Sequence, residues 1–127
     1  MGSTTNNWDT RTFQATAVAI SAYSLVVVDS NGLISVAGDS SSDTIIGVTT
    51  DDIAASGWGN VRFLGAGGTI EVLAGGATIA VADTVYNDGS GKIGTDNGNT
   101  KIGLALQASS ADGDVIEVVS QHETTLA

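Results

Sequence analysis

The fold class expected from the sequence is all-β: a small antiparallel barrel or sandwich built from two related β units, with little helix. Three observations predict it. From Phe13 onward the apolar period is two, with Val61 and Phe63 facing away from Arg62 and Leu64, and Ile70 and Val72 opposite Thr69 and Glu71. Turn signals such as Asp29-Ser30-Asn31-Gly32, Gly75-Gly76 and Asp96-Asn97-Gly98-Asn99 recur at intervals of roughly eight to twelve residues. A third signal is repetition between Ala22 and Val119. Asn31-Gly32-Leu33-Ile34, Thr44-Ile45-Ile46-Gly47 and Val61-Arg62-Phe63 have counterparts in Ser90-Gly91-Lys92-Ile93, Thr100-Lys101-Ile102-Gly103 and Val115-Ile116-Glu117-Val118. The interval from Gly47 to Gly57 equals that from Gly103 to Gly113, so a duplicated unit is expected, with Gly47 matching Gly103 and Val61 matching Val115.

Taken in order, residues 1–12 are polar apart from Met1 and Trp8 and read as a flexible N-terminal arm that a partner would order. The β domain is expected over 13–120, its two copies at about 22–64 and 82–119, followed by a tail at 121–127. The best helical signal is Thr50–Gly57, where Thr50 can cap, Asp51 and Asp52 sit in the first turn and Gly57 can end it. Several strands do not alternate cleanly: Leu25-Val26-Val27-Val28, Ile45-Ile46 and the run from Val115 to Val119 carry apolar groups on both faces. Such strands are covered on both sides, either by another subunit in a homo-oligomer or by a second layer of the same chain.

Composition narrows the function. Hydrophobic residues make up 42%, enough for a globular core. Only 14% are charged, so Ser, Thr, Asn, Gly and small apolar groups cover the surface, which suits burial against other subunits. The net charge is −10, with Arg11, Arg62, Lys92 and Lys101 the only fixed cations. Four dispersed cations cannot neutralise a run of phosphates, which argues against nucleic acid and against anionic membrane surfaces. No apolar run approaches the ~20 residues of a membrane span. There is no cysteine, which removes thiol catalysis and zinc–thiolate sites, and no cofactor is indicated.

Catalytic signals are weak. His122, the one histidine, lies in the tail with nothing to orient it, and neither a Gly-x-Ser-x-Gly elbow nor a P-loop occurs. Asp83, Asn87, Asp88 and Asp96-Asn97-Gly98-Asn99 offer oxygen ligands that calcium prefers, but Asp and Asn are also the ordinary residues of tight turns. Trp58, between two glycines, could stack on a sugar, which keeps a carbohydrate- or cell-surface-binding module as the alternative reading. The candidate partner-binding residues are Trp8, Arg11 and Phe13, since Trp and Arg are the types most enriched at binding hot spots. Against that, Phe13 could simply begin the first strand while Trp8 folds back onto its own subunit.

Ala82-Asp83-Thr84-Val85-Tyr86, Gly91-Lys92-Ile93, Ile102-Gly103-Leu104-Ala105-Leu106 and Gly113-Asp114-Val115 with Glu117-Val118 resemble the small capsid decoration, or cement, proteins of tailed bacteriophages. The likeness covers about residues 13 to 120; Val81-Ala82-Asp83 departs from it where that family commonly has a glycine. The resemblance implies a trimeric β-barrel protein of the virion, made in the host cytoplasm. It would bind the major capsid protein on the outer face of an assembled shell and brace neighbouring subunits, with no enzymatic role. An acidic, cysteine-free β domain that acts by mass action, through many weak contacts multiplied by valency, is consistent with that role.

Overall fold

A computed structural model describes residues 10–38, 45–65, 68–96 and 98–120. Among them there are ten strands and no helix. The first five, β1 (Thr10–Ala15), β2 (Leu25–Val28), β3 (Leu33–Val36), β4 (Ile45–Thr49) and β5 (Trp58–Phe63), close into a barrel in the order β1-β3-β2-β4-β5. The other five, β6 (Thr69–Leu73), β7 (Thr84–Asn87), β8 (Ile93–Gly94), β9 (Lys101–Ala105) and β10 (Val115–Ser120), form a sheet in the order β6-β10-β9-β7-β8. The all-β expectation holds.

The second sheet repeats the pairings of the first barrel. β2 meets β4 at Leu25↔Val48 and Val26↔Gly47, with a register shift before Val27↔Ile45. β7 meets β9 at Thr84↔Leu104 and Val85↔Gly103, with the same shift before Tyr86↔Lys101. Ile20 bridges Ile53 as Ile79 bridges Ser109. Tyr23 and Ala82 both carry a positive φ, of 66° and 76°, and Gly32 and Gly91 do so at 79° and 80°. The turns before those glycines are pinned alike: the Asp29 carboxylate accepts from the Asn31 amide and the Asp88 carboxylate from the Ser90 amide, each at 2.8 Å. These Asp residues therefore act as turn formers.

Gly47 and Gly103 occupy one and the same place. A Cβ at either would run into a main-chain carbonyl of the neighbouring strand, that of Arg62 or of Val119. The match of Val61 to Val115 needs correction. Val61 pairs with Thr49, two residues past Gly47, and Val118 pairs with Ala105, two past Gly103. Val61 thus corresponds to Val118, and Val115 corresponds to Trp58. Of the three positions that separate Val115 from Val118, one comes from an extra residue in the second loop and two from matching the first valine after each glycine, four residues past Gly57 but two past Gly113. The turn-closing bond from Gly57 N to Ala54 O recurs from Asp114 N to Ala111 O, so equal glycine spacing concealed the shift.

Three further differences have local causes. The strand starts at Thr10 rather than Phe13, because Thr10, Arg11 and Thr12 pair with Arg62, Val61 and Asn60 and leave their polar side chains on the outer rim. The helical turn expected at Thr50–Gly57 does not form. Both the amide and the carbonyl of Ile53 are bonded to Ile20 at 2.8 Å, and its side chain fills the barrel, leaving no backbone groups for a helical ladder. Finally, Leu25 and Val26 are each 0% exposed but belong to different clusters. Val26 joins Phe13, Ala15, Ile20, Ile34, Ile53 and Val61 inside the barrel. Leu25 joins Val48, Ile70, Ile93 and Ile102 in a cluster shared with the second sheet. For β2, the second apolar face is covered by the same chain. Burying Leu25 there contributes on the order of 2 kcal/mol.

Candidate partner-binding surfaces

Barrel and sheet meet through backbone groups as well as apolar ones. The Leu25 amide donates to the Gly91 carbonyl at 2.8 Å, and the Leu73 amide donates to the Tyr23 carbonyl at 2.9 Å. Asn87 adds a side-chain bond to the Gly38 carbonyl at 3.2 Å. Beside this junction lies a cavity of about 470 Å³, lined by Tyr23, Arg62, Thr69, Glu71, Gln107 and Glu117 among others. One of its hydrogen bonds joins the two halves and two lie within the second sheet. Arg62 Nε donates to the Thr69 carbonyl at 3.0 Å, Thr69 Oγ1 to Glu117 at 2.6 Å, and the Glu117 amide to the Gln107 side chain at 2.8 Å. Among the described residues no group of three His, Cys, Asp or Glu is placed to hold a metal ion.

A second cleft, of about 430 Å³, opens on the outside of the first barrel. It brings together two of the three candidate residues. Arg11 and Phe13 are two apart on β1, so they share a face, and the Arg11 guanidinium carbon lies 4.9 Å from the centre of the Phe13 ring. Phe13 in turn meets the edge of Phe63, with centroids 6.1 Å apart and planes at 86°. At 9% exposure Phe13 is a core residue, the fourth of β1 rather than its first, and it supports Arg11 from below. Trp8 lies outside the described residues, as do His122 and the rest of the tail.

The same cleft is bordered by Trp58, which opens β5 and is 66% exposed. A tryptophan that filled the core would be covered, so Trp58 does not plug the core. Its counterpart Val115 opens β10 and is also exposed, at 40%. Both halves therefore carry an uncovered apolar side chain at the first residue of their closing strand. This equivalence is invisible while Val115 is aligned with Val61.

On the far turns, Lys92 pairs with Asp112 at 2.8 Å. That hydrogen bond, and the negative charges of Asp112 and Asp88, outweigh slight desolvation and raise the Lys92 pKa above the ordinary lysine value.

A family model for phage cement proteins matches residues 5–120, nearly the whole chain. The chain belongs to the phage cement protein family. A solved structure, the N base of the head fiber gp8.5 of bacteriophage phi29, is similar at a TM-score of 0.66 and 19% identity, covering 93% of this chain and 99% of that one. At that identity the likeness establishes the fold. No curated protein matches. Membership of that family gives this cement protein a structural, capsid-associated role.

Proposed function

We propose that this cement protein binds the outer face of the assembled capsid as a homotrimer, holds neighbouring major capsid subunits together, and raises the stability of the shell by mass action. The family match over residues 5–120 is the observation that carries this reading. The surface chemistry supports it. A net charge of −10 keeps the free protein soluble and draws it to basic patches, while a largely uncharged Ser/Thr/Gly surface is cheap to desolvate. Trp58 and Val115 contact the shell, joined by the segment that carries Trp8, and Arg11 contacts a neighbouring copy. Burying an indole contributes on the order of 2 kcal/mol, repeated in each copy, less the entropy of ordering the segment around Trp8.

The test uses undecorated shells and sedimentation occupancy. Because Thr10, Arg11 and Thr12 are ladder residues of β1, the informative truncation removes residues 2–9 and leaves the barrel whole. Occupancy should fall for that truncation and for Trp58→Ala, with circular dichroism unchanged. Full occupancy by both variants would show that other surfaces make the contact.

A further inference from the structure

We propose that the outer face of the second sheet docks on the shell, and that the cavity beside it receives an arginine side chain of the shell between Glu71 and Glu117. The inference rests on the capsid-binding reading above and names the surface and the chemistry that carry it.

Comparing the two halves picks out this face. In the barrel, Leu25 pairs with Val48 and Val27 with Ile45, and Leu25, Val48 and Ile45 are buried in the cluster shared with the second sheet. Their counterparts Thr84, Leu104 and Lys101 are paired in the same way across β7 and β9, yet none of them is buried. Leu104 stands opposite Val119 of β10. Alternation along the two strands adds Leu106, Glu117 and Val115 to that face, and pairing with β6 adds Glu71. Leu106 and Val115 are 39% and 40% exposed, and Val115 is already assigned to the shell. The chain covers the first occurrence of this face and leaves the second open.

Charge defines what covers it. Glu71 and Glu117 lie directly opposite each other on β6 and β10. The Glu117 amide and carbonyl turn away to β9, where they meet the Gln107 side chain and the Leu106 amide. The two glutamates are therefore a non-hydrogen-bonded pair, the kind that brings side chains closest. Like charges so placed destabilise a sheet, and among the described residues neither carboxylate forms an ion pair. Glu117 accepts the Thr69 hydroxyl, and the Glu71 side chain accepts nothing from the described residues. The Glu71 carbonyl is a further acceptor. It sits on the free edge of β6, between the Leu73 amide that reaches Tyr23 and the Thr69 carbonyl that takes Arg62, and has no partner among the described residues.

Both glutamates line the cavity of about 470 Å³, where two carboxylates against the one guanidinium of Arg62 leave an excess of negative charge. Several acceptors around a negative space fit a guanidinium, which offers five donors in one plane and keeps its charge. Leu106 and Val115 suit apolar neighbours of that arginine. At a net charge of −10, with Arg11 stacked on Phe13 and Lys92 held by Asp112, a second copy brings more repulsion than attraction to this face. A basic shell surface brings the reverse.

The test is sedimentation occupancy of undecorated shells by the full chain carrying Glu71→Gln and Glu117→Gln together. Glutamine keeps the shape and can still accept the Thr69 hydroxyl, and because a repulsion is removed the melting temperature should not fall. Affinity for shells should fall at least about tenfold, and its dependence on salt should weaken. Asp96→Asn with Asp112→Asn removes two charges outside the cavity and should cost less than about threefold. A double glutamine variant that binds shells as well as the wild type, or as well as that control, overturns the proposal while capsid binding stands. Should the double variant fail to fold, Glu71→Gln alone decides by the same comparison. A double variant that changes the sedimentation velocity of the free chain would place the face between copies and also overturn it. Shells left bare by the wild type overturn the capsid-binding reading and this inference with it.

Discussion

The first barrel and the second sheet follow the same path of five strands, yet their cores are organised differently. The barrel closes on its own cluster, from Phe13 to Val61, and keeps its outer cleft uncovered. The sheet shares its cluster with Leu25, Ala37, Ile45 and Val48 of the barrel, so its interior is completed by its neighbour. A repeat of about fifty residues is too small to bury every apolar face by itself, and adjacency supplies the missing cover. The difference also shows which positions are set by the fold and which by the neighbour. Gly47 and Gly103 are the same residue because strand approach demands it in both halves, whereas Leu25 and Thr84 differ because only one of them is covered within the chain.

The sharpest break in the comparison would come from the paired glycines. Gly47→Val and Gly103→Val each drive a side chain into a facing carbonyl, so each should cost at least about 3 kcal/mol, with loss of soluble folded protein. If only one variant unfolds, the two close approaches are not equivalent. Next in size is the asymmetric pair. Leu25→Ala removes a fully buried side chain at the junction and should cost about 2–4 kcal/mol in denaturant titration, whereas Thr84→Ala should cost less than about 0.5 kcal/mol. Equal losses would contradict the assignment of Leu25 to the junction. One cooperative transition is expected throughout, since a single cluster spans both halves.

Much of this architecture could be read from the chain before any coordinates. The period of two, the turn spacing and the Ile-Gly steps at Gly47 and Gly103 are local signals, and each reports a constraint that local geometry enforces. What was hidden depends on long-range contacts. The first strand of each half went unmatched because Arg11 lies in an open cleft and its counterpart Ile70 in a buried junction, so the two residues share a register but no chemistry. Capping signals at Thr50–Gly57 lost to the burial of Ile53. The exposure of Val115 follows only from the loop insertion that shifts the closing strand. Of the candidate partner residues, Arg11 is accessible, Phe13 is core and Trp8 lies outside the described residues; Trp58, not among them, is an exposed aromatic of the described surface.

Smaller effects sharpen the comparison at the surface. Trp58→Ala should change stability by less than about 0.5 kcal/mol while lowering shell occupancy, and Val115→Ser should lower occupancy less, in keeping with its smaller exposed side chain. Lys92→Met should have the smallest consequence, a fall in Tm of no more than about 2 °C, because the ion pair with Asp112 is solvent-exposed. Since the folded lysine pKa is raised, its contribution is fully present below the unfolded lysine value and is lost as pH rises through the folded one. Wild type and Lys92→Met should therefore converge only in strong alkali, which melting curves across pH would reveal.

The central claim, that this cement protein recognises and stabilises an assembled shell, is tested most directly by the rupture temperature of undecorated capsids titrated with the chain. Binding should saturate on intact shells, raise the rupture temperature progressively with free protein concentration, and be absent on unassembled capsid subunits. Saturating binding that leaves the rupture temperature unchanged, or no binding to intact shells at all, would contradict it.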